Sequence, residues 1–338
     1  TNISHWLSQS DARGECRKKR FTRDDAVQLA KMGFDHLRLP VDEEQLWNDN
    51  FHKETEAWNL LHEALEWCRE LGMRAIVDLH ILRCHHFNGK NGENSLFSDP
   101  AMALHLGECW RQLSDELKTY DNDFLAYELM NEAVADDPED WNRVLLVPYK
   151  VVREKEPDRF IAMGSNRWCQ TQTFPSLKVP TDDSAIILVF HYYNPMLVTH
   201  YRASWTPFIR DYHGQIKYPG IPAPAEAVVL LNGELRERIA SQNTYYDASV
   251  IERDLMPALQ KAKELGLPLW CNEFGVNANA PDDVRKKWYD DFLSILEKHS
   301  IAWSNWDFRG CFGIFDSRNK PTIVAESLMK FVRPKCSS

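Results

Sequence analysis

The chain has 338 residues, which is long enough for one large domain with a sizeable core. Its 50 acidic and 40 basic residues give a net charge of −10, so it lacks the positive surface that a nucleic-acid partner requires. The longest apolar runs, such as residues 185–190, are far too short to span a bilayer. Composition therefore predicts neither nucleic-acid binding nor a membrane-spanning segment.

In chain order, short apolar strand patterns alternate with amphipathic helix patterns. After a first short strand at 2–6, a helix opened by Thr22 leads to a strand at 35–40. Further helices are predicted at 54–71, 100–117, 141–154, 250–265 and 284–298. Further strands are predicted at 74–80, 124–130, 159–164, 185–191, 267–272 and 301–308. Eight strands alternating with helices indicate a parallel sheet closed into a single (β/α)8 TIM barrel over residues 1–338.

One long insertion interrupts this alternation after the sixth strand. Residues 194–247 are rich in proline and aromatic side chains, among them Trp205 and Tyr212. A loop of this length in a compact domain is usually functional or disordered. Because of its aromatic content, we expect the insertion to form a folded wall on the catalytic face.

The eight cysteines show no paired CxxC spacing, so the sequence predicts no zinc site and assigns no disulfide. Histidines at 80, 85, 86 and 191 leave a metal-dependent barrel hydrolase as a rival hypothesis. However, neither HxH nor HExxH spacing is present, and metal sites usually combine histidine with further ligands at fixed spacing. No metal is therefore predicted.

The predicted strands end on polar or aromatic side chains, and the C-terminal strand ends are where a (β/α)8 barrel carries its active site. Two of these ends carry carboxylates, Glu132 at the fourth strand and Glu273 at the seventh. Two carboxylates facing each other across a cleft are the groups used in glycoside hydrolysis. The other strand-end side chains are Arg38, His80, Asn131, His191, Tyr193 and Trp306.

Six short motifs at these strand ends make a family resemblance specific. They are Leu37-Arg38-Leu39-Pro40, Asp78-Leu79-His80-Ile81-Leu82, Tyr127-Glu128-Leu129-Met130-Asn131-Glu132, His191-Tyr192-Tyr193, Asn272-Glu273-Phe274-Gly275 and Trp303-Ser304-Asn305-Trp306. In content and order they resemble glycoside hydrolase family 5, the cellulase family of retaining barrel enzymes. One departure is Ala133, which stands where the family's Asn-Glu-Pro motif has proline.

The resemblance implies that Glu132 is the acid/base and Glu273 the nucleophile. It further implies that Asn131 binds the sugar 2-hydroxyl, a contact that strengthens in the transition state. Arg38 and Tyr193 are expected to keep Glu273 ionised.

The resemblance also implies that Trp306 is the floor under the sugar in the −1 position and that His80 lines the same subsite. His191 is expected either to adjust Glu132 or to hold the sugar. Glu128, mid-strand on the same face as Glu132, is predicted to be a buried partner of Arg38 or another group of the barrel interior, and not a second acid. Three tryptophans in or near loops are candidate sugar platforms beyond this position: Trp47, Trp168 and Trp205.

The function expected from this resemblance is an endo-β-1,4-glucanase that uses no cofactor. A β-mannanase, another β-glycanase or an exo-β-glucosidase stays open, and so does an inactive carbohydrate-binding barrel. A polysaccharide or oligosaccharide substrate and a monomeric enzyme are predicted. Because polymeric glucan lies outside the cell, we expect a secreted or periplasmic protein; no signal peptide precedes Thr1, and the start without Met agrees with a removed leader.

Overall fold

The computed structural model describes residues 1–89 and 94–332. Seven strands follow one another in chain order in one sheet: β1 (His36–Asp42), β2 (Arg74–Ile81), β3 (Leu125–Glu128), β4 (Ile161–Gly164), β5 (Ile186–Tyr192), β6 (Leu269–Phe274) and β7 (Ala302–Trp303). The pairs from β1 to β5 are all parallel. Parallel strands joined by helices in this order are the arrangement of a (β/α)8 barrel.

Most connections between the strands contain helices. In the described residues the helices are α1 (Glu15–Lys18), α2 (Arg23–Lys31), α3 (Glu43–Leu46), α4 (Thr55–Glu70), α5 (Pro100–Leu117), α6 (Pro138–Lys155), α7 (Asn166–Cys169), α8 (Met196–Thr199), α9 (Ala225–Val229), α10 (Gly233–Gln242), α11 (Ala248–Leu265), α12 (Asp282–Lys298) and α13 (Ile323–Leu328). A 3-10 helix covers Thr171–Ser176. The predicted helices therefore exist, with ends displaced by a few residues at most.

The predicted first strand is reduced to a single bridge. Asn2 pairs in parallel with Arg38, and the Ile3 amide donates to the Arg38 carbonyl at 2.9 Å. His5 then has φ 53°, a left-handed backbone that cannot continue a strand. The prediction of a strand over 2–6 is thus wrong beyond this bridge, and the predicted strand at 301–308 shortens to β7.

The chain divides into two compact units. The first contains residues 1–190 and 257–270, and its strands meet in a buried cluster of Ile76, Ala162, Val189 and Trp270. Its longest helices begin with local signals, as at α5, where the Asp99 side chain accepts from the Ala101 amide at 2.9 Å.

The second unit contains residues 191–256 and 271–332, and aromatic rings form its core. Phe292 lies at the centre of this core, with ring centroids 5.0 Å from Tyr192, 4.9 Å from Trp288 and 5.0 Å from Phe274. Burying rings of this size supplies much of the apolar area that stabilises such a unit.

Residues 194–247, expected as an insertion, contain α8, α9 and α10 and so are partly helical. Several aromatic side chains of this segment are buried within the second unit, as Tyr212 and Tyr218 illustrate. Tyr218 donates to Oδ2 of Asp291 in α12 at 2.8 Å, which ties the segment to that helix. That the segment forms a wall on the catalytic face stays a prediction.

Candidate active site

Arg38 is the central cation of a buried polar network in the first unit. Its Nε donates to Oε2 of Glu128 at 2.7 Å and its Nη2 to Oε1 at 2.8 Å, and neither side chain is exposed. Two parallel bonds between a guanidinium and a carboxylate fix both orientation and charge. The pair connects β1 to β3.

The same guanidinium also holds the ends of β2 and β3. Its Nη2 lies 3.0 Å from Oδ2 of Asp78 and donates to Oδ1 of Asn131 at 2.9 Å. Nδ1 of His80 lies 2.7 Å from the same Asp78 oxygen, so Asp78 orients the imidazole. Burial raises the pKa of Asp78 to about 7, although the nearby guanidinium opposes this rise.

Asn131 presents a donor that nothing in the described residues uses. Its side chain is fully buried, and its Oδ1 accepts from Arg38, yet its Nδ2 has no hydrogen-bond partner. A buried amide donor without a partner is costly unless a ligand supplies an acceptor. The position suits a hydroxyl group of a bound substrate.

Glu132 follows Asn131 with φ 40°, a left-handed conformation uncommon for a residue with a side chain. Its carbonyl accepts from Nε2 of His85 at 3.1 Å, and the side chain is 8% exposed. Burial raises the pKa of Glu132 to about 8, against the lowering effect of Arg38, and the carboxylate of Glu128 adds to the rise. The raised pKa favours the protonated form of Glu132, which is the form that a general acid requires.

Glu273, near the end of β6, lies in a different hydrogen-bonding environment in the second unit. The Tyr193 hydroxyl donates to its Oε2 at 3.1 Å, and Nδ1 of His191 lies 3.5 Å from the same oxygen. The hydrogen bond donated by Tyr193 stabilises the ionised form of this carboxyl group.

Gly275 allows the segment after Glu273 to pass close to its neighbours. A Cβ at this position would lie 2.5 Å from the carbonyl oxygen of Trp306 and 2.9 Å from the ring of Phe312. The Trp306 amide also donates to the Phe274 carbonyl at 2.8 Å. The Glu-Phe-Gly sequence thereby holds the backbone of Trp306 beside the end of β6.

Aromatic rings surround Tyr193 within the second unit. Its ring centroid lies 5.1 Å from His200 and 5.9 Å from Phe312, both edge-on. Trp205, which is half-buried, lies 6.1 Å from each of these two rings. Its surroundings leave part of the indole available as a platform.

The other candidate platforms differ in exposure. Trp168 is 37% exposed, and its indole donates to the Phe87 carbonyl at 2.9 Å, which fixes the ring. Trp47, in contrast, is fully buried, donates to Gln112 at 2.7 Å and stacks on Phe51. Trp47 therefore belongs to the packed interior, and we withdraw it as a platform.

Asp78, His200 and Phe312 were given no role in binding or catalysis from the sequence. In the structure Asp78 contacts Arg38 and His80, and the rings of His200 and Phe312 pack against Tyr193. Asp78 belongs to the motif before His80, and its alternation with His80 along β2 was the available signal. His200 and Phe312 had none, because they approach Tyr193 only through tertiary folding. No disulfide joins two cysteines within the described residues.

Comparisons with known proteins agree along the whole chain. Endoglucanase C of Acetivibrio thermocellus is 30% identical over 338 residues, covering 98% of this chain and 96% of that protein. Cellodextrinase A of Ruminococcus flavefaciens is 26% identical and covers 89% and 82%, respectively. The solved structure of the endoglucanase Cel5A from Thermotoga maritima with cellobiose has a TM-score of 0.77 at 20% identity, covering 98% of this chain and 96% of that one.

The structural likeness shows the (β/α)8-barrel fold, and the sequence likeness defines the class as glycoside hydrolase. The sequence profile of the cellulase family, glycosyl hydrolase family 5, matches residues 8–311, and the chain belongs to this family. Within residues 1–89 and 94–332, no helix combines the length and apolar character needed to cross a membrane.

Proposed function

We propose that this protein is a retaining endo-β-1,4-glucanase in which Glu132 is the acid/base and Glu273 the nucleophile. The observation that carries the proposal is the similarity to Endoglucanase C, which covers 98% of this chain and 96% of that protein. The contrasting environments of the two carboxyl groups support their division of roles, since retaining hydrolysis needs one protonated and one ionised carboxyl group.

In the first step Glu132 donates its proton to the oxygen of the scissile bond while Glu273 attacks the anomeric carbon. The bond from that carbon to the leaving oxygen breaks, and an ester to Glu273 forms. Burial supports the acid role because it raises the pKa of Glu132 to about 8. The hydrogen bond from Tyr193, at 3.1 Å, supports the nucleophile role because it favours the carboxylate.

In the second step Glu132, now a carboxylate, takes a proton from water. The water oxygen attacks the anomeric carbon, the ester breaks, and Glu273 leaves as a carboxylate. Two inversions at one carbon restore the β configuration. No cofactor takes part in either step.

The neighbouring residues would bind the sugar in the −1 position. Nδ2 of Asn131 is placed to donate to a hydroxyl oxygen, because Arg38 holds the other end of the amide. His80, held by Asp78, and His191, beside Glu273, would line the same subsite, with Trp306 as its floor. Arg38 would orient Asn131 through its hydrogen bond to that amide, and its positive charge would favour the ionised form of the nucleophile.

Trp168 and Trp205 would bind further sugar units, because both keep part of an indole exposed. A chain of β-1,4-linked glucose, as polymer or oligosaccharide, is the proposed substrate. We further propose that the enzyme is a monomer that acts outside the cytoplasm, secreted or in the periplasm, because a polymeric glucan does not enter the cell.

Release of reducing ends from soluble β-1,4-glucan, mannan and xylan, with viscosity measured in parallel, tests substrate and mode of action. We expect release from glucan with an early fall in viscosity, since internal cleavage shortens chains fastest. Release without a fall in viscosity contradicts endo action. Mannan is the most important alternative substrate to test, because Cel5A of Thermotoga maritima has also been solved with mannotriose.

Azide rescue of two alanine variants tests the assignment of the carboxylates on an activated aryl β-glycoside. In Glu273→Ala, azide can attack from the face that the carboxylate occupied and give an α-glycosyl azide. In Glu132→Ala, the ester to Glu273 still forms, and azide that attacks it gives a β-glycosyl azide. The reverse pattern of products contradicts the assignment.

A further inference from the structure

A second group of chemically reactive side chains lies in the first unit, outside the proposed catalytic machinery. Glu43, His105 and Cys109 each offer one donor atom, and these three atoms lie within 4.8 Å of one another. Nε2 of His105 is 2.8 Å from Oε1 of Glu43 and 3.8 Å from Sγ of Cys109. One imidazole nitrogen therefore faces a carboxylate and a thiol together.

We propose that Glu43, His105 and Cys109 form a binding site for a thiophilic divalent cation of the Zn²⁺ class. Nitrogen, sulfur and carboxylate oxygen are the donors that zinc takes in proteins. With metal–ligand bonds of about 2.0–2.3 Å, two donors of a tetrahedral site lie roughly 3.3–3.6 Å apart. The two separations from Nε2 of His105, 2.8 and 3.8 Å, bracket this value, and all three donor atoms lie within 4.8 Å of one another. A shift of these side chains would bring the three donors to one ion.

Local structure fixes the position of these donors. His105 and Cys109 are four residues apart on α5, so they project from the same helix face. Glu43 begins α3 directly after β1, and its second oxygen, Oε2, accepts from the Arg83 amide at 2.9 Å. Glu43 and Cys109 are buried and His105 is half-buried, which shields the ion while leaving a path for its entry.

The cation would replace protons on its ligands. Without it, Glu43 pairs with His105 and with the Arg83 guanidinium, whose Nη1 lies 2.9 Å from Oε1. Coordination needs an imidazole nitrogen without a proton and a thiolate, so Zn²⁺ displaces the thiol proton of Cys109 and the proton that Nε2 of His105 shares with Glu43. The positive charge of the ion compensates for the displaced thiol proton, and Arg83 keeps its contact with the carboxylate.

Three protein donors leave the fourth position of a tetrahedral ion to water, and the effect of the ion would be to hold chain segments together. Its ligands connect the segment after β1 to α5, and the bonds from Arg83 to Glu43 add the segment after β2. That last segment continues to His85, whose ring contacts the Glu132 carbonyl. A bound cation would therefore fix loops that lie beside the acid residue without touching the substrate.

Cobalt is the most direct probe, because a thiolate bound to Co²⁺ produces an intense near-ultraviolet charge-transfer band. The full chain, stripped with a chelator and kept reduced, is titrated with Co²⁺ and then with Zn²⁺. We expect the band to saturate at one equivalent of Co²⁺ and to disappear when Zn²⁺ displaces it. Zn²⁺ should also raise the thermal midpoint, since a ligand of the native state stabilises it.

Cys109→Ser and His105→Gln should each lower the affinity for Co²⁺ at least tenfold, and Cys109→Ser should abolish the band. If Cys109→Ser disturbs folding, the affinity of His105→Gln for Co²⁺ still tests the proposal. Cys68→Ser is the matched control, a buried thiol on α4, and should leave the titration unchanged. No thiolate band at stoichiometric Co²⁺, or an undiminished band in both variants, overturns the proposal and leaves the cluster as an ion pair alone.

Discussion

Arg38 and Glu128 are joined by two hydrogen bonds of 2.7 and 2.8 Å, and neither side chain is exposed to solvent. Removing one partner of such a pair leaves a buried charge with fewer compensating contacts. We predict that Glu128→Ala lowers the free energy of unfolding by about 3 kcal/mol, because breaking a buried pair costs about 3–5 kcal/mol and Asp78 still contacts Arg38.

Urea unfolding measures this change. The control is Asp140→Ala, which removes an exposed pair with Arg143 at 2.9 Å and should leave the midpoint near that of the unchanged protein. Equal midpoints for Glu128→Ala and the unchanged protein would show that the buried pair contributes no stability.

The raised pKa of Glu132 predicts the alkaline limb of the activity profile. Burial raises this pKa from 4.5 to about 8, and the general acid must be protonated, so kcat/KM on glucan should fall as pH rises through about 8. Glu132→Gln, which cannot ionise, should remove this limb along with most activity.

Two comparisons isolate the effect. An aryl glycoside with an activated leaving group needs no proton, so its first step should change little across the same pH range. Asp78→Asn removes a neighbouring group whose pKa is raised to about 7. Because Glu132 is still present in this variant, its activity should still fall as the pH rises through about 8. A limb of unchanged position in Glu132→Gln would exclude Glu132 as its origin.

Tyr193→Phe should lower kcat roughly 10- to 100-fold, because a hydrogen bond to a charged group contributes about 1.5–3 kcal/mol. The phenyl ring keeps the packing against His200 and Phe312, so folding should be preserved. The matched control is Tyr192→Phe, whose hydroxyl contacts Asp254 at 3.0 Å instead of Glu273. Steady-state kinetics of both variants tests this prediction. An equal loss of activity in Tyr193→Phe and Tyr192→Phe would contradict a specific role for the Tyr193 hydroxyl.

Trp168→Ala should lower kcat/KM on long cello-oligosaccharides about tenfold, or about 1.4 kcal/mol, while short aryl glycosides change little. The reason is that an exposed, fixed indole can stack on a sugar outside the −1 position. Leu104→Ala, an exposed apolar residue on α5, is the control. Equal losses on long and short substrates would point to a disturbed fold.

Local signals in the sequence were sufficient for most elements of the fold. Helix α5 illustrates this, because Asp99, Pro100 and an apolar period of 3.6 define its start and face. The strand at 2–6 failed because the left-handed backbone of His5 has no sequence signal in a residue other than glycine.

The proposed site residues were chosen from strand ends in the sequence, whereas the tertiary surroundings of each residue could not be predicted. Trp47 lies in a segment that reads as a loop, yet Gln112, which accepts its hydrogen bond, comes from α5, and no local pattern reveals that burial. The four-residue spacing of His105 and Cys109 was visible as a shared helix face. Glu43, far from both in sequence, needed the structure.

Trapping the covalent intermediate tests the central assignment most directly. A 2-deoxy-2-fluoro β-cellobioside with an activated leaving group forms the ester to the nucleophile faster than water removes it, so the ester accumulates. Peptide mapping by mass spectrometry should find one fluorinated disaccharide per chain, attached to Glu273, and none in Glu273→Gln. A label on Glu132 or on any other residue would contradict the assignment of Glu273 as the nucleophile.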